Sequence, residues 1–202
     1  MKILPLNSEH STDTYLWNGI ISNDESAFSE LFEKYYPSLV SYGNSLMPFS
    51  EKVKDCVQDV FVDIWVYRAN LNKSVVVKAY LLSCVRKRIA RLHERDYIFR
   101  QSSEIGSVEF LLNFSLEKDD DYDEVMFLKL TQLNQLLNAL PARQKEALYL
   151  RYHQNLSIEQ ISEMLDVNYQ STKNLLHRAI LNIRKDWQTH SVLIFLVLSK
   201  IC

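Results

Sequence analysis

Asp55, Asp59 and Asp63 recur at intervals of four with Gln58 between them, so three carboxylates line one side of a helix over about 12 Å. Like charges at that spacing cost a helix roughly 0.2–0.5 kcal/mol per pair, which points to a basic partner. A solvated acidic face, softened by Lys52 and Lys54, is the plainer alternative. A carboxylate-bound Mg²⁺ is a third, but no second acidic helix motif or phosphate-cradling glycine loop accompanies the stripe. Further along, Lys87, Arg91 and Arg95 repeat at the same interval with the opposite charge, flanked by Arg86 and Arg88. From Lys78 to Arg100 seven basic residues stand against two acidic ones, a local surface for an anionic ligand whose binding would depend steeply on salt. Just before it, Asn70-Leu71-Asn72-Lys73-Ser74 reads as a loop with amide and ammonium donors, able to hold an unstacked base or to serve as a surface connector.

A third set of polar residues lies in Leu156–Arg184. Ser157 is a good N-cap for a helix marked by Ile158, Ile161 and Leu165, and Asp166-Val167-Asn168 interrupts that run. Asn168 then caps a second helix with a buried stripe of Thr172, Leu176, Ala179, Ile183 and Trp187. Its other face carries Gln170, Lys173, Asn174, His177 and Arg178, side chains that bond base edges or phosphates. A helix-turn-helix is the economical reading, and an αα-hairpin packed on a partner protein is the alternative. Asp166 sits where such turns usually carry glycine, which enters the left-handed region at lower cost.

Nothing comparable supports catalysis. His10, His93, His153, His177 and His190 are scattered, none beside a nucleophile motif or at a metal spacing. Cys56, Cys84 and Cys202 are odd in number and far apart, so no disulfide framework or zinc site is expected, nor any cofactor. A reducing cytoplasm fits that usage, and the N-terminus carries no signal-peptide pattern.

The elements that must position these residues are helical. Three glycines and four prolines in 202 residues leave few of the breakers an all-β chain needs, so the expectation is an all-α protein of two small helical domains. Helical patterns run roughly over Asp24–Leu46, Glu51–Ala69 and Val76–Tyr97, then over Val125–Leu140 and Ala142–His153, followed by the helix-turn-helix. Ser50 is placed to cap the second pattern, and Pro141 fits the first position of its helix. Core stripes are expected at Val53, Val57, Val60, Phe61 and Ile64 with Trp65 beside them, and at Tyr80, Leu81, Cys84, Val85, Ile89 and Leu92. A third runs through Met126, Leu130, Leu133, Leu137 and Leu140.

Between Gln101 and Val125 eight acidic residues face Lys118 alone, so residues 101–124 form a self-repelling linker between domains 1–100 and 125–188. Phe110, Leu111, Leu112, Phe114 and Leu116 are too many apolar side chains for a fully solvated strap, and part of it is expected to dock. Residues 189–202 form a hydrophobic tail whose Val192–Leu198 run is far short of the roughly 20 residues that span a bilayer. It can dock on the chain's own helices, on a regulator or on a membrane face. The net charge of −2 confines any DNA contact to local patches.

Together these segments resemble the two-domain RNA polymerase sigma factors of the extracytoplasmic-function group. The matching runs are AFSELFEKYYPSLVSYGNSL at Ala27–Leu46, DCVQDVFVDIW at Asp55–Trp65, KAYLLSCVRKRIARLHER at Lys78–Arg95, and Leu140–Arg184. The resemblance implies a region 2 domain whose Asp55, Gln58, Asp59 and Trp65 bind core RNA polymerase. It implies −10 promoter contacts through Asn70, Asn72, Lys73, Arg86, Lys87, Arg91 and Arg95, with the loop capturing a flipped base as DNA melts. It implies a region 4 domain that reads the −35 element through Gln170, Ser171, Lys173, Asn174, His177 and Arg178. Lys87 stands where the family commonly has Asn, which shifts strand capture there from amide bonding toward charge. An anti-sigma factor is a further implied partner. A helix-turn-helix regulator acting outside the polymerase is the competing reading, and it leaves the Asp55–Asp63 stripe and the basic helix unexplained.

Overall fold

The computed structural model describes residues 6–100, Phe110 and residues 124–187. Their regular structure is all helical: α1 (Leu6–Ile21), α2 (Glu25–Leu46), α3 (Ser50–Val66), α4 (Val77–Arg100), α5 (Glu124–Ala139), α6 (Ala142–Leu148), α7 (Ile158–Leu165) and α8 (Tyr169–Asp186). Apart from Phe110, the linker expected at 101–124 lies almost wholly outside the described residues, and so does the tail with Val192–Leu198. Among the described residues no helix is long and apolar enough to cross a membrane.

The first group of helices is organised by α2. Asp24 accepts from the amides of Ser26 and Ala27 at 2.9 and 3.2 Å and starts the helix. Its buried face then repeats at helical spacing through Ala27, Leu31, Tyr35, Leu39, Tyr42 and Leu46. Against it α3 buries Val53, Val57, Val60, Phe61 and Ile64 as their spacing predicts, with Cys56 added. Gly43 sits where the two helices cross, and a Cβ there would collide with the Val53 side chain. Ser50 is the first helical residue rather than the cap; Phe49 takes that position and offers no side-chain acceptor. On α4 the fully buried positions are Val77, Leu81, Leu82, Val85 and Ile89, while Tyr80, Cys84 and Leu92 pack at the margin.

Helix α1 precedes the first helix the sequence pattern indicates. Among its described side chains the buried apolar ones, Leu16, Trp17 and Ile20, crowd into its last turns, too short a run for periodicity to register. Tertiary contacts supply the rest: buried Asp13 accepts from Lys34 Nζ at 2.7 Å and from the Tyr35 hydroxyl at 2.5 Å, both on α2.

In the second group Pro141 is the N-cap of α6, with an extended ψ of 143°, one position before the expected one. The helix continues past Leu148 as a wider π turn over Tyr149–His153. Ser157 and Gln160 form a reciprocal capping box at the start of α7, and the Asn168 side chain accepts from the Ser171 amide at 2.7 Å to cap α8. Between the helices Asp166 adopts φ 53° and ψ 50°, the left-handed conformation for which glycine is the usual residue. Thr172, Leu176, Ala179 and Ile183 are buried as the pattern requires, whereas Trp187, expected in the same stripe, is the C-cap and only half-buried.

The two groups are packed together. Tyr42 of α2 stacks on Tyr149 with ring centroids 6.0 Å apart. Phe110 is buried against the same Tyr149 at 5.3 Å, the docked part of the linker that its apolar content called for.

Candidate functional site

Helix α3 has one continuous exposed face. Asp55, Gln58, Asp59, Val62, Asp63 and Val66 are all exposed, and at 100° per residue they fall within an arc of about 140°. Val62 and Val66 are 57 and 58% exposed, and Tyr67 just beyond them is 59% exposed. The face is therefore a mixed ridge, with apolar side chains between carboxylates, and not a purely solvated acidic one. Sequence reasoning missed Val62 and Val66; their spacing of seven and eleven from Asp55 was the available signal. Trp65 lies at one edge, tilted on Phe28 at 5.0 Å, with the Arg68 guanidinium 4.4 Å over its ring. Arg68 is itself fixed by the Trp65 carbonyl at 2.5 Å and by Asn23.

Across the ridge Arg88 of α4 donates to Asp63 at 2.7 Å and to Asp59 at 2.9 Å. These bonds outweigh burial, which acts the other way, and hold the guanidinium above its usual value. One flanking arginine of the basic helix thus serves the acidic ridge. The other, Arg86, turns to the second helical group: its Nε donates to Glu146 Oε1 at 2.9 Å, and the arginine side chain is 18% exposed. Lys87, Arg91 and Arg95 remain exposed along α4. Of the basic residues read as one surface, the structure keeps three in line and sends Arg86 elsewhere.

Asn70 ends a 3-10 turn over Arg68–Asn70, one residue inside regular structure where a loop is expected, and Asn72 and Lys73 lie on the loop that precedes α4; all three are exposed. Asn72 Oδ1 accepts from the Ser74 amide at 2.9 Å, a local turn that fixes the side chain. Its carbonyl accepts from Trp17 Nε1 at 3.0 Å, and Trp17 meets Tyr80 edge-on at 5.3 Å. Burial, then the neighbouring Cys84, push the Tyr80 phenol up to about 12. The loop is braced from α1 and α4 with its polar side chains outward. Trp17 is a third residue the sequence reading passed over, because α1 itself was not legible.

On α8 the side chains of Gln170, Lys173, Asn174, His177 and Arg178 are exposed, and Ser171 is half-buried at the capped end. Gln170 Nε2 donates to Asn174 Oδ1 at 3.2 Å, one helical turn on. Below this surface Ser162 and Thr172 join their hydroxyls at 2.9 Å in the buried seam between α7 and α8. Among the described residues no three His, Cys, Asp or Glu side chains are grouped as a metal ion would need.

This order of faces is matched by two family models. Residues 31–97 match sigma-70 region 2, and residues 130–183 match sigma-70 region 4. Two relatives from Bacillus subtilis (strain 168) are similar over most of their length. RNA polymerase sigma factor YlaC is 26% identical over 160 residues, covering 79% of this chain and 91% of the relative. RNA polymerase sigma factor SigZ is 25% identical over 149 residues, covering 74 and 80%. Among solved structures, the sigma factor RpoE of Bartonella quintana, in complex with the anti-sigma factor NepR, shares the fold. Its TM-score is 0.55 at 20% identity, with 78% of this chain and 94% of that one covered. With region 2 matched on the ridge-and-loop half and region 4 on the helix-turn-helix half, the chain belongs to the sigma-70 family, as an extracytoplasmic-function RNA polymerase sigma factor that directs promoter recognition.

Proposed function

We propose that the three faces divide the work of initiation. The α3 ridge of Asp55, Gln58, Asp59 and Trp65, extended by Val62 and Val66, docks on a basic surface of core RNA polymerase. Asn70, Asn72 and Lys73 before α4, with Lys87, Arg91 and Arg95 of α4, take the −10 element, while Arg86, held by Glu146, stands apart from that face. Gln170, Ser171, Lys173, Asn174, His177 and Arg178 of α8 take the −35 element. The observation that carries this reading is that an acidic-apolar ridge on α3 and a polar, basic face on the second helix of a helix-turn-helix are both exposed on one chain. A regulator acting without polymerase has no use for the ridge.

Opening DNA gives up on the order of 1.4 kcal/mol of stacking per step, more than a small helical protein supplies over a whole bubble. Polymerase therefore holds the complex while the loop and α4 capture unpaired bases. The protein performs no chemistry of its own, works in the cytoplasm as residues 1–100 and 125–188 on either side of the 101–124 linker, and is held by an anti-sigma factor when not needed. The test is reconstitution with core polymerase. The purified chain should confer start-site-specific transcription, and Asp59→Lys should abolish complex formation while helicity is unchanged. Unchanged core affinity of that variant would remove the ridge from the interface. Lys173→Ala or Asn174→Ala should cost about 1–3 kcal/mol of discrimination at the −35 element; equal loss on all sequences would mean phosphate contacts only.

A further inference from the structure

The first turns of α8 carry two side-chain pairs, each joined across one helical turn. Gln170 Nε2 donates to Asn174 Oδ1 at 3.2 Å, and Lys173 Nζ lies 5.8 Å from the centre of the Tyr169 ring. At about 100° per residue Gln170 and Asn174 point away from buried Thr172 and Leu176, so the amide pair forms the crest of the exposed face. Tyr169 and Lys173 flank it about 100° to one side, and the ring contact draws the ammonium to that side.

The bond between the two amides decides what the crest recognises. It uses one hydrogen of Gln170 and one lone pair of Asn174, and it leaves Gln170 Oε1 as an acceptor beside Asn174 Nδ2 as a donor. In the major groove adenine presents the complement, an N6 donor next to the N7 acceptor. Guanine presents two acceptors there, cytosine an amino donor, and thymine an acceptor and a methyl group. We propose that Gln170 and Asn174 act as one amide unit that selects a single adenine of the −35 element, Gln170 Oε1 accepting from the N6 amino group and Asn174 Nδ2 donating to N7. This deepens, and rests on, the −35 assignment made under the proposed function. The N-terminal residues of a recognition helix are those that meet base edges, which is where the pair stands. Joining the two side chains before DNA arrives leaves fewer rotamers to be fixed on binding. Lys173, held toward Tyr169, addresses a different part of the site.

The test uses holoenzyme reconstituted from core polymerase and the full chain, with promoter duplexes randomised across the −35 segment and sequencing of the templates that form stable complexes. The wild type should favour an A·T pair at one position by about ten- to a hundredfold. Gln170→Ala and Asn174→Ala should each flatten that same position, and the double variant should lose no more than either alone. Both residues are exposed on a helix, where alanine is the best helix former, so the variants keep the fold. Lys173→Ala should weaken binding and keep the adenine preference. On a defined template 7-deazaadenine at that position, which lacks the N7 acceptor, should cost the wild type severalfold and the Asn174→Ala variant nothing. Relaxation at two different positions, a favoured base other than adenine, or an equal 7-deazaadenine penalty in Asn174→Ala would overturn the proposal. Failure of the underlying reading looks different: the wild-type holoenzyme would then show no base preference anywhere in the randomised segment.

Discussion

The indole Nε1–H of Trp17 donates to the backbone carbonyl of Asn72 at 3.0 Å, tying α1 to a loop 55 positions away. Trp17 is 1% exposed, so the bond is made where water competes poorly. Through it, a helix with none of the proposed promoter contacts sets the height of the loop that carries two of them. Trp17→Phe keeps the ring in the core and leaves the Asn72 carbonyl without this donor. It should lower stability by about 1–3 kcal/mol in urea denaturation. Amide exchange should accelerate over residues 70–76 ahead of the rest of the chain. Uniform acceleration everywhere would mean that the bond braces the core and not the loop.

Arg88 holds Asp59 and Asp63, so in the proposed docking it would compete with polymerase for Asp59. Those carboxylates are 55 and 56% exposed, and surface pairs of this kind are worth about 0–1 kcal/mol, so Arg88→Ala should unfold within that range of the wild type. The same change removes a positive charge from the middle of the ridge. Binding to core polymerase should tighten at low salt and lose more affinity as salt is raised. Weaker binding at all salt concentrations would show that Arg88 aims the carboxylates at their partner.

Much of this arrangement was legible in the sequence wherever a local rule governed it. The α2, α3 and α8 stripes follow helical periodicity. Ser157 and Asn168 cap as their types and spacing require, and Asp166 takes the left-handed turn marked for it. What stayed hidden depends on contacts distant in sequence. The Arg86–Glu146 pair and the Asp13–Lys34 pair join residues 60 and 21 positions apart, and no periodicity reports them. Five basic residues close together on α4 read as one surface; the structure distributes them among an acidic ridge, a domain contact and solvent because neighbours on a helix point 100° apart.

The Tyr42 phenol links the domain contact to pH. Burial, and then the Glu146 carboxylate beside it, raise its pKa well above the ordinary 10.0. A group whose folded value is raised contributes stability that is complete below the unfolded pKa and is lost as pH rises through the folded one. Urea midpoints should therefore be flat toward pH 10 and fall beyond it. Tyr42→Phe should flatten part of that fall while lowering stability at neutral pH, since Glu146 loses a donor. An unchanged alkaline slope in this variant would assign the effect to Tyr80 and Tyr149, whose phenols burial also raises.

Between α7 and α8 the hydroxyls of Ser162 and Thr172 meet at 2.9 Å with 7 and 0% exposure. Ser162 also reaches the Ile158 carbonyl at 2.6 Å, and Thr172 the Asn168 carbonyl at 3.3 Å, so the pair connects both helix starts across the turn. Thr172→Val preserves shape and removes the polar partner. The expected cost is about 0.5–1.5 kcal/mol in thermal or urea unfolding, the net value of one buried hydrogen bond. Because the proposed reading face of α8 keeps every side chain, an accompanying loss of −35 discrimination with undiminished non-specific DNA binding would trace specificity to the helix angle. If stability falls and discrimination does not, the seam is structural and α8 is aimed by its apolar stripe alone.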